Sequence, residues 1–293
     1  MFEQITIGTY TKPQALFQRL NHEFAILQNE GFPYMLDVDR VGEFTFLDCF
    51  FREKEGTDKE DTLEMVRNSI ANCLAEIIIE EWETLLLKKI VRDNFYYYTS
   101  REKQAILSKT ERILNPSSLN SYYQKQRKEE IRERILDYLA RQKKLIIEGF
   151  INFRLKDYQE NLSNAVDSAV DEFLLEKEYR EFIRLLRYFV EIQEPRIKKV
   201  QVVFKEAGKF IFLDEADQLI EHESLEGLCL DFWENEINYA DLLISALITL
   251  APEELLIHQS SHETALETIE TIKDVFRSRV KECSGCEHCQ QEK

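Results

Sequence analysis

Residues 2–10 alternate between apolar and polar positions, the period of a half-buried strand, and residues 14–29 then change to helical spacing through Leu16, Leu20, Phe24 and Leu27. Gly31 stands where that helix has to stop. A hairpin follows, with arms at residues 34–38 and 44–51 around a turn holding Arg40, Val41 and Gly42. Thr57 or Asp58 is placed to cap a long helix reaching about Arg92, whose buried stripe would be Leu63, Val66, Ile70, Leu74, Ile77 and Leu85. Ser100 is the expected cap of the next helix, which ends before the loop signal Asn115-Pro116-Ser117-Ser118. Residues 122–193 are helical by spacing almost throughout, with joints near Gly149 and near residues 176–178, and Pro195 closes the region. Residues 199–205 and 209–213 flank Ala207-Gly208 as a second hairpin, apolar on both faces, so its sheet is expected to be covered on both sides. A helix over 236–250, a strand over 254–258, a helix over 263–277 and a last strand near Val280 complete the pattern.

The pattern predicts an α+β chain, predominantly helical, in three parts: a βαββ unit over residues 1–56, a long-helix region over 57–195, and an α/β module over 196–293 that ends in a cysteine cluster. Charge sharpens the last boundary, because residues 199–293 hold 8 basic and 20 acidic side chains whereas residues 93–198 hold 20 basic and 18 acidic. With 293 residues the chain is long enough to build real cores without disulfides or metal. Only 8 glycines and 5 prolines occur, which disfavours Gly-rich cofactor loops and turn-dense β-sandwiches. The net charge of −17 opposes wholesale binding to nucleic acid or to an anionic membrane. No uncharged apolar run approaches the length of a membrane span, and the start Met1-Phe2-Glu3-Gln4 lacks the basic-then-apolar pattern of a signal peptide, so a cytoplasmic location is expected. Cysteines there stay reduced, and Cys49, Cys73 and Cys229, each alone among apolar neighbours, read as small core residues.

Cys283-Ser284-Gly285-Cys286-Glu287-His288-Cys289 is the strongest chemical signal. A Cys-x-x-Cys turn sets two thiolates on one side of a tight loop, Gly285 permits the bend, and Cys289 repeats the spacing, so the segment suits Zn²⁺ or an iron–sulfur cluster. The metal-ligand candidates are Cys283, Cys286, Cys289 and His288; folding could also bring in His258, His262 or Cys229 as the fourth ligand. Three thiolates without an obvious fourth equally suit a cluster with one open iron, and a run of free thiols in a tail is the plain alternative. A catalytic dithiol is disfavoured, since that motif opens a helix after a strand and no helix is expected after Cys283.

Other motifs carry less. Phe210-Ile211-Phe212-Leu213-Asp214-Glu215-Ala216-Asp217 spells a helicase nucleotide-hydrolysis motif, but no phosphate loop accompanies it, so the acids read as capping a strand-to-helix turn. Residues 121–156 hold 10 basic and 5 acidic side chains, and a nucleic-acid contact through them is an alternative reading; around a helix, however, the basic positions scatter rather than form a stripe. Tyr96, Tyr97 and Tyr98 read as packing at a helix end. The histidines His22, His222, His258, His262 and His288 form no His-x-x-x-His helix pair, and no Gly-x-Ser-x-Gly elbow occurs, so the residues offer no catalytic constellation. Asp37, Asp39 and Asp48 could face one another across the first hairpin as solvated acids.

Glu148-Gly149-Phe150-Ile151-Asn152-Phe153-Arg154-Leu155-Lys156-Asp157-Tyr158, followed by residues 170–179 (Val-Asp-Glu-Phe-Leu-Leu-Glu-Lys-Glu-Tyr) and Phe189-Val190, resembles the YtxC family, sporulation proteins of endospore-forming bacteria. The resemblance extends over essentially the whole chain, the cysteine-bearing tail included. It implies a process, endospore formation, and no reaction or catalytic residues. By spacing alone Phe150, Phe153, Tyr158 and Leu162 are expected in a core. The chain is thus expected to be a non-enzymatic sporulation protein acting on a protein partner, with a structural metal site at its C-terminal module. A metal or iron–sulfur enzyme using the same cysteines is the competing class.

Overall fold

A computed structural model describes residues 3–29, 31–52, 59–116, 120–204, 210–220, 239–258 and 263–290. It is a predominantly helical α+β chain that divides into two compact units, Met1–Leu174 and Leu175–Lys293.

In the first unit, strand β1 (Glu3–Thr9) leads into helix α1 (Pro13–Asn29), and β2 (Tyr34–Val41) and β3 (Phe44–Phe51) form the hairpin. Helix α1 buries Leu16, Leu20, Phe24 and Leu27, and it ends in a Schellman motif. Gly31 sits at φ 93°, its N–H donates to Gln28 O (3.0 Å), and the Phe32 N–H donates to Leu27 O (3.0 Å), which drops the Phe32 ring into the core. The sheet runs β2-β3-β1-β4, where β4 (Lys144–Ile146) pairs parallel to β1. This three-residue strand falls inside the stretch that spacing reads as helix; so short a run has no legible period of its own, and only its neighbour β1 defines it. Asp37 lies directly opposite Asp48 in the hairpin, and Asp48 accepts from Gln4 Nε2 (2.9 Å) and Thr6 Oγ1 (2.5 Å).

Helix α2 (Lys59–Ile77) continues through a π-helical turn, Ile78–Trp82, into α3 (Glu83–Asn94). Leu85 is 37% exposed, whereas Leu87 and Val91 are buried. The wider turn holds extra residues per revolution, so the buried stripe that begins at Val66, Ile70 and Leu74 moves round the helix after it, and a constant period carried to Leu85 fails. Helix α4 (Ser100–Leu114) is capped by Thr99 rather than Ser100: the Thr99 hydroxyl accepts from Glu102 N (3.3 Å) and Glu102 Oε2 accepts from Thr99 N (2.9 Å), a reciprocal capping box. Helices α5 (Asn120–Leu139), α6 (Ile147–Arg154) and α7 (Lys156–Ile192) follow. Leu155 at φ −108°, ψ 42° breaks the helix between α6 and α7, so Phe153 faces outward at 75% exposure while Phe150, Tyr158 and Leu162 are buried. Of the tyrosine trio only Tyr98 packs inward, edge-on to Phe173 at 5.6 Å; Tyr96 and Tyr97 are exposed.

One core joins α1, the first sheet and helices α2 to α7 as far as Phe173. Cys49 and Cys73 lie in it, and burial pushes the Cys73 thiol up to about 12, which keeps it an inert apolar side chain.

The second unit contains β5 (Ile197–Phe204), β6 (Phe210–Leu213), helix α8 (Tyr239–Leu250), β7 (Pro252–Ile257), helix α9 (Glu263–Phe276), β8 (Val280–Glu282) and a single helical turn, α10 (Glu287–Gln290). Its sheet runs β6-β5-β7-β8, antiparallel between β5 and β6 and parallel from β5 through β7 to β8. Val200, Gln201, Val202, Val203 and Phe204 are all buried, as expected for a strand covered on both faces. The second core gathers Ile183 and Val190 of α7, the inner residues of α8 and α9, and the strands between them. Asp214 does not open a helix: its Oδ1 accepts from Ala216 N (2.8 Å) and Gln218 N (2.9 Å), and the chain turns back to bridge Leu213 with Leu219. Cys229, His222, His262 and the start of the 236–250 helix lie outside the described residues.

Candidate metal centre

Parallel strands β7 and β8 end side by side, and each hands on one ligand candidate. His258 follows β7 and extends the ladder through its N–H to Val202 O (3.0 Å); Cys283 follows β8 with its N–H on Ile257 O (2.9 Å). This is the carboxyl edge of the parallel strands, where open α/β sheets present their ligands. Gly285, at φ +115°, then bends the chain back, and the turn α10 carries Cys289 over the site. The result is four side chains whose ligand atoms all lie within 4.8 Å of one another: His258, Cys283, Cys286 and Cys289.

The three distances among His258, Cys286 and Cys289 are close to those around one tetrahedral ion. Bonds of about 2.3 Å to sulfur and about 2.0–2.1 Å to nitrogen give tetrahedral edges of about 3.8 Å between sulfurs and about 3.5 Å between sulfur and nitrogen. Cys286 Sγ lies 3.8 Å from Cys289 Sγ, and the His258 Nδ1 lies 3.2 Å from Cys286 Sγ and 3.6 Å from Cys289 Sγ.

A second layer sets the histidine. Gln201, a polar residue within the apolar strand β5 and only 4% exposed, donates its amide nitrogen to Asp214 O (2.8 Å) and to Asp217 Oδ1 (2.6 Å). Both amide hydrogens are thereby used, and Gln201 Oε1 is left facing His258 Nε2 at 3.3 Å. An oxygen there requires Nε2 to carry the proton, so the Nδ1 lone pair is free to face the sulfurs. Asp217 holds its place at φ +61°, a conformation that Asp tolerates better than most residues. Burial draws the His258 pKa below its usual value, and the adjacent His288 acts in the same direction, which favours the neutral ring a metal needs.

The thiols are poised differently. Burial raises the Cys286 thiol, but the N–H groups of Cys289 and His288 and the Cys283 thiol outweigh it and leave Cys286 below its ordinary value. For Cys283 the Gly285 N–H lowers the thiol, while burial and the Cys286 and Cys289 sulfurs raise it, and the second group prevails. Three sulfurs this close repel as thiolates; a divalent cation between them removes that conflict.

Of the sequence candidates, the fold brings together Cys283, Cys286 and Cys289. His288 stands outside the four-residue group: its ring packs edge-on to His258 (5.4 Å, 82°) and its Nε2 lies 3.8 Å from Asp217 Oδ1. Gln201 escaped the sequence reading, although a lone amide inside Val200-Gln201-Val202-Val203 was its visible signal. Asp214 and Asp217, the acids of the helicase-like letters, serve as the acceptors that orient Gln201. In residues 121–156, Arg127 pairs with Glu83, Lys128 with Glu76, Arg132 with Glu129, Arg134 with Asp157 and Lys143 with Glu3. No described helix is long and apolar enough to cross a membrane.

The sequence model of the YtxC-like family matches residues 68–281. That span takes in Gln201 and His258 and stops just before Cys283. A protein of Bacillus subtilis (strain 168) named Uncharacterized protein YtxC is 26% identical over 232 residues, 78% of this chain and 81% of that protein. No solved structure matches the chain. Since the family match runs from α2 through the second sheet, the chain belongs to the YtxC-like family.

Proposed function

We propose that this chain is a cytosolic sporulation protein that works by protein interaction, and that His258, Cys283, Cys286 and Cys289 hold one structural Zn²⁺ that fixes the segment after β8 to the second sheet. The carrying observation is the spacing of the ligand atoms: all four lie within 4.8 Å of one another, and those of His258, Cys286 and Cys289 stand at distances close to the edges of one tetrahedron. Four protein ligands complete the coordination of zinc, the arrangement of structural rather than catalytic sites. An iron–sulfur cluster spreads its cysteines over several irons, a poorer fit to sulfurs 3.8 Å apart. The sporulation role rests on the YtxC resemblance of residues 148–158 and 170–179.

Protein purified anaerobically, without a metal affinity column, is expected to be colourless and to carry about one zinc per chain. A brown protein with iron and sulfide would establish the enzyme-type reading instead, and a metal-free protein would remove the site. For the process, the chain is expected to restore heat-resistant spore counts to a Bacillus subtilis strain lacking its YtxC, and Cys286→Ser to restore them less. No restoration by the wild-type chain would overturn the sporulation role.

Gln201 tests the orienting layer. Gln201→Leu keeps the strand apolar but removes the acceptor from His258 Nε2, so zinc affinity, measured by chelator competition, should fall by about 10–100-fold. Unchanged affinity would mean that the Gln201 contact does not set the ring.

A further inference from the structure

A cavity of about 300 Å³ opens in the first unit where the end of α5 meets α6. Arg134, Asp137, Tyr138 and Arg141 line it from α5 and the turn that follows, and Phe150 and Arg154 line it from α6. Helical spacing explains the convergence. Arg134, Tyr138 and Arg141 follow one another by four and three residues, and Phe150 and Arg154 by four, so each element presents a ring and at least one guanidinium on the same side. The floor is fixed: Tyr138 donates its hydroxyl to Lys144 O (3.2 Å), packs edge-on to the buried Phe150 (5.5 Å, 75°), and carries the Arg154 guanidinium over its face, 5.9 Å from the ring centre. The rim is a set of donors short of acceptors. A guanidinium has five N–H donors and accepts nothing. Arg134 commits Nη2 to Asp157 Oδ2 (2.9 Å), whereas among the described residues the side chains of Arg141 and Arg154 have no ion pair or hydrogen bond, and Asp137 pairs with none of the three.

We infer that this cavity binds a small molecule carrying a phosphate monoester, with the phosphate among Arg134, Arg141 and Arg154 and the organic part against Tyr138. A phosphate monoester presents three terminal oxygens, one for each planar guanidinium fork, while a carboxylate presents two. The volume stands at the lower end of small-ligand sites, and a ring floor under a few convergent polar groups is their usual construction. Asp137 is left to accept a hydrogen bond from a hydroxyl or amino group of the organic part. The chain's net charge of −17 opposes the continuous phosphate backbone of a nucleic acid but not a single phosphate held within a cluster of arginines.

Isothermal titration of the full chain with phenyl phosphate and with adenosine monophosphate, at about 50 mM salt so that screening is modest, tests this. At least one of the two is expected to bind with a Kd of about 1 mM or tighter, and about tenfold more tightly than inorganic phosphate, phenol, adenosine or benzoate. Arg141→Lys with Arg154→Lys keeps the charge but removes the forks, and should weaken binding by about tenfold or more at an unchanged melting temperature. Lys125→Gln, on α5 outside the cavity, should leave binding as it is. No heat from either phosphate ester up to about 10 mM would overturn the inference. Equal binding of inorganic phosphate would overturn the organic ligand in favour of the free anion, and equal binding of benzoate would overturn the preference for phosphate. Full affinity in the double lysine variant, or an equal loss in Lys125→Gln, would replace the site with diffuse surface charge.

Discussion

Stripping the metal from the zinc-loaded chain with a strong chelator, or replacing Cys286 by Ser, is expected to lower the melting temperature by at least about 10 °C, the shift of a few kcal/mol in a unit of this size. The reason lies in how little else holds the end of the second sheet. Strand β8 is three residues long, its Lys281 and Glu282 are exposed, and Ser284, Gly285 and Glu287 beyond it are exposed as well. Apolar burial therefore contributes little to residues 281–289, and a metal bound only by the folded arrangement contributes its binding free energy to folding. Once the ion is gone, three thiols and a buried imidazole are left facing one another. Hydrogen exchange locates the effect: the amides of β7 and β8 should lose protection, while those of Ile70 to Ile78 in the first core should not. The chelator should have no further effect on Cys286→Ser. A melting curve that ignores both the chelator and the substitution would sink the structural role.

Arg127→Ala should cost about 3–5 kcal/mol of stability in the first unit, measured by denaturant unfolding, because it strands a buried carboxylate. Glu83, at the start of α3 and 7% exposed, receives Arg127 Nε on Oε2 and Arg127 Nη2 on Oε1, both at 3.2 Å. It also accepts the Tyr158 hydroxyl at 2.8 Å, and burial beside that carboxylate pushes the phenol pKa well up. The guanidinium does more than neutralise Glu83. Its Nη1 donates to Leu114 O (2.8 Å) and its Nη2 to Asn115 Oδ1 (3.1 Å), satisfying the carboxyl end of α4. One side chain on α5 thus ties together α3, α4 and, through Glu83, α7. Replacing both partners with apolar residues, Glu83→Leu with Arg127→Met, should cost less than Arg127→Ala alone, since no unpaired charge is then buried. A loss below about 1 kcal/mol for Arg127→Ala would mean that water reaches Glu83 and the network is not a closed one.

Much of this molecule is legible along the chain. The βαββ start, the long helices, the second hairpin and the β7–α9–β8 succession all follow from period two, period 3.6 and stop signals, because those local rules act over spans long enough to repeat. The cysteine spacing likewise singled out three of the four side chains whose ligand atoms the fold brings within 4.8 Å of one another. Where regularity breaks, local reading fails for identifiable reasons. The π-turn Ile78–Trp82 changes the phase that Leu85 was expected to keep, and the break at Leu155 turns Phe153 outward. Neither event leaves a repeating signal.

What only the tertiary structure decided are the pairings between distant positions. Lys144–Ile146 becomes a strand because β1 offers it a parallel edge. His258 joins Cys283, Cys286 and Cys289 because β7 lies between β5 and β8 in the sheet, which sets the end of one strand beside the end of another. Gln201 gains its role because strand register places it under His258, some 57 residues away in sequence. A sequence determines which residues carry ligand atoms and which segments repeat; strand order and register, fixed by the burial of whole faces, decide which of those atoms meet.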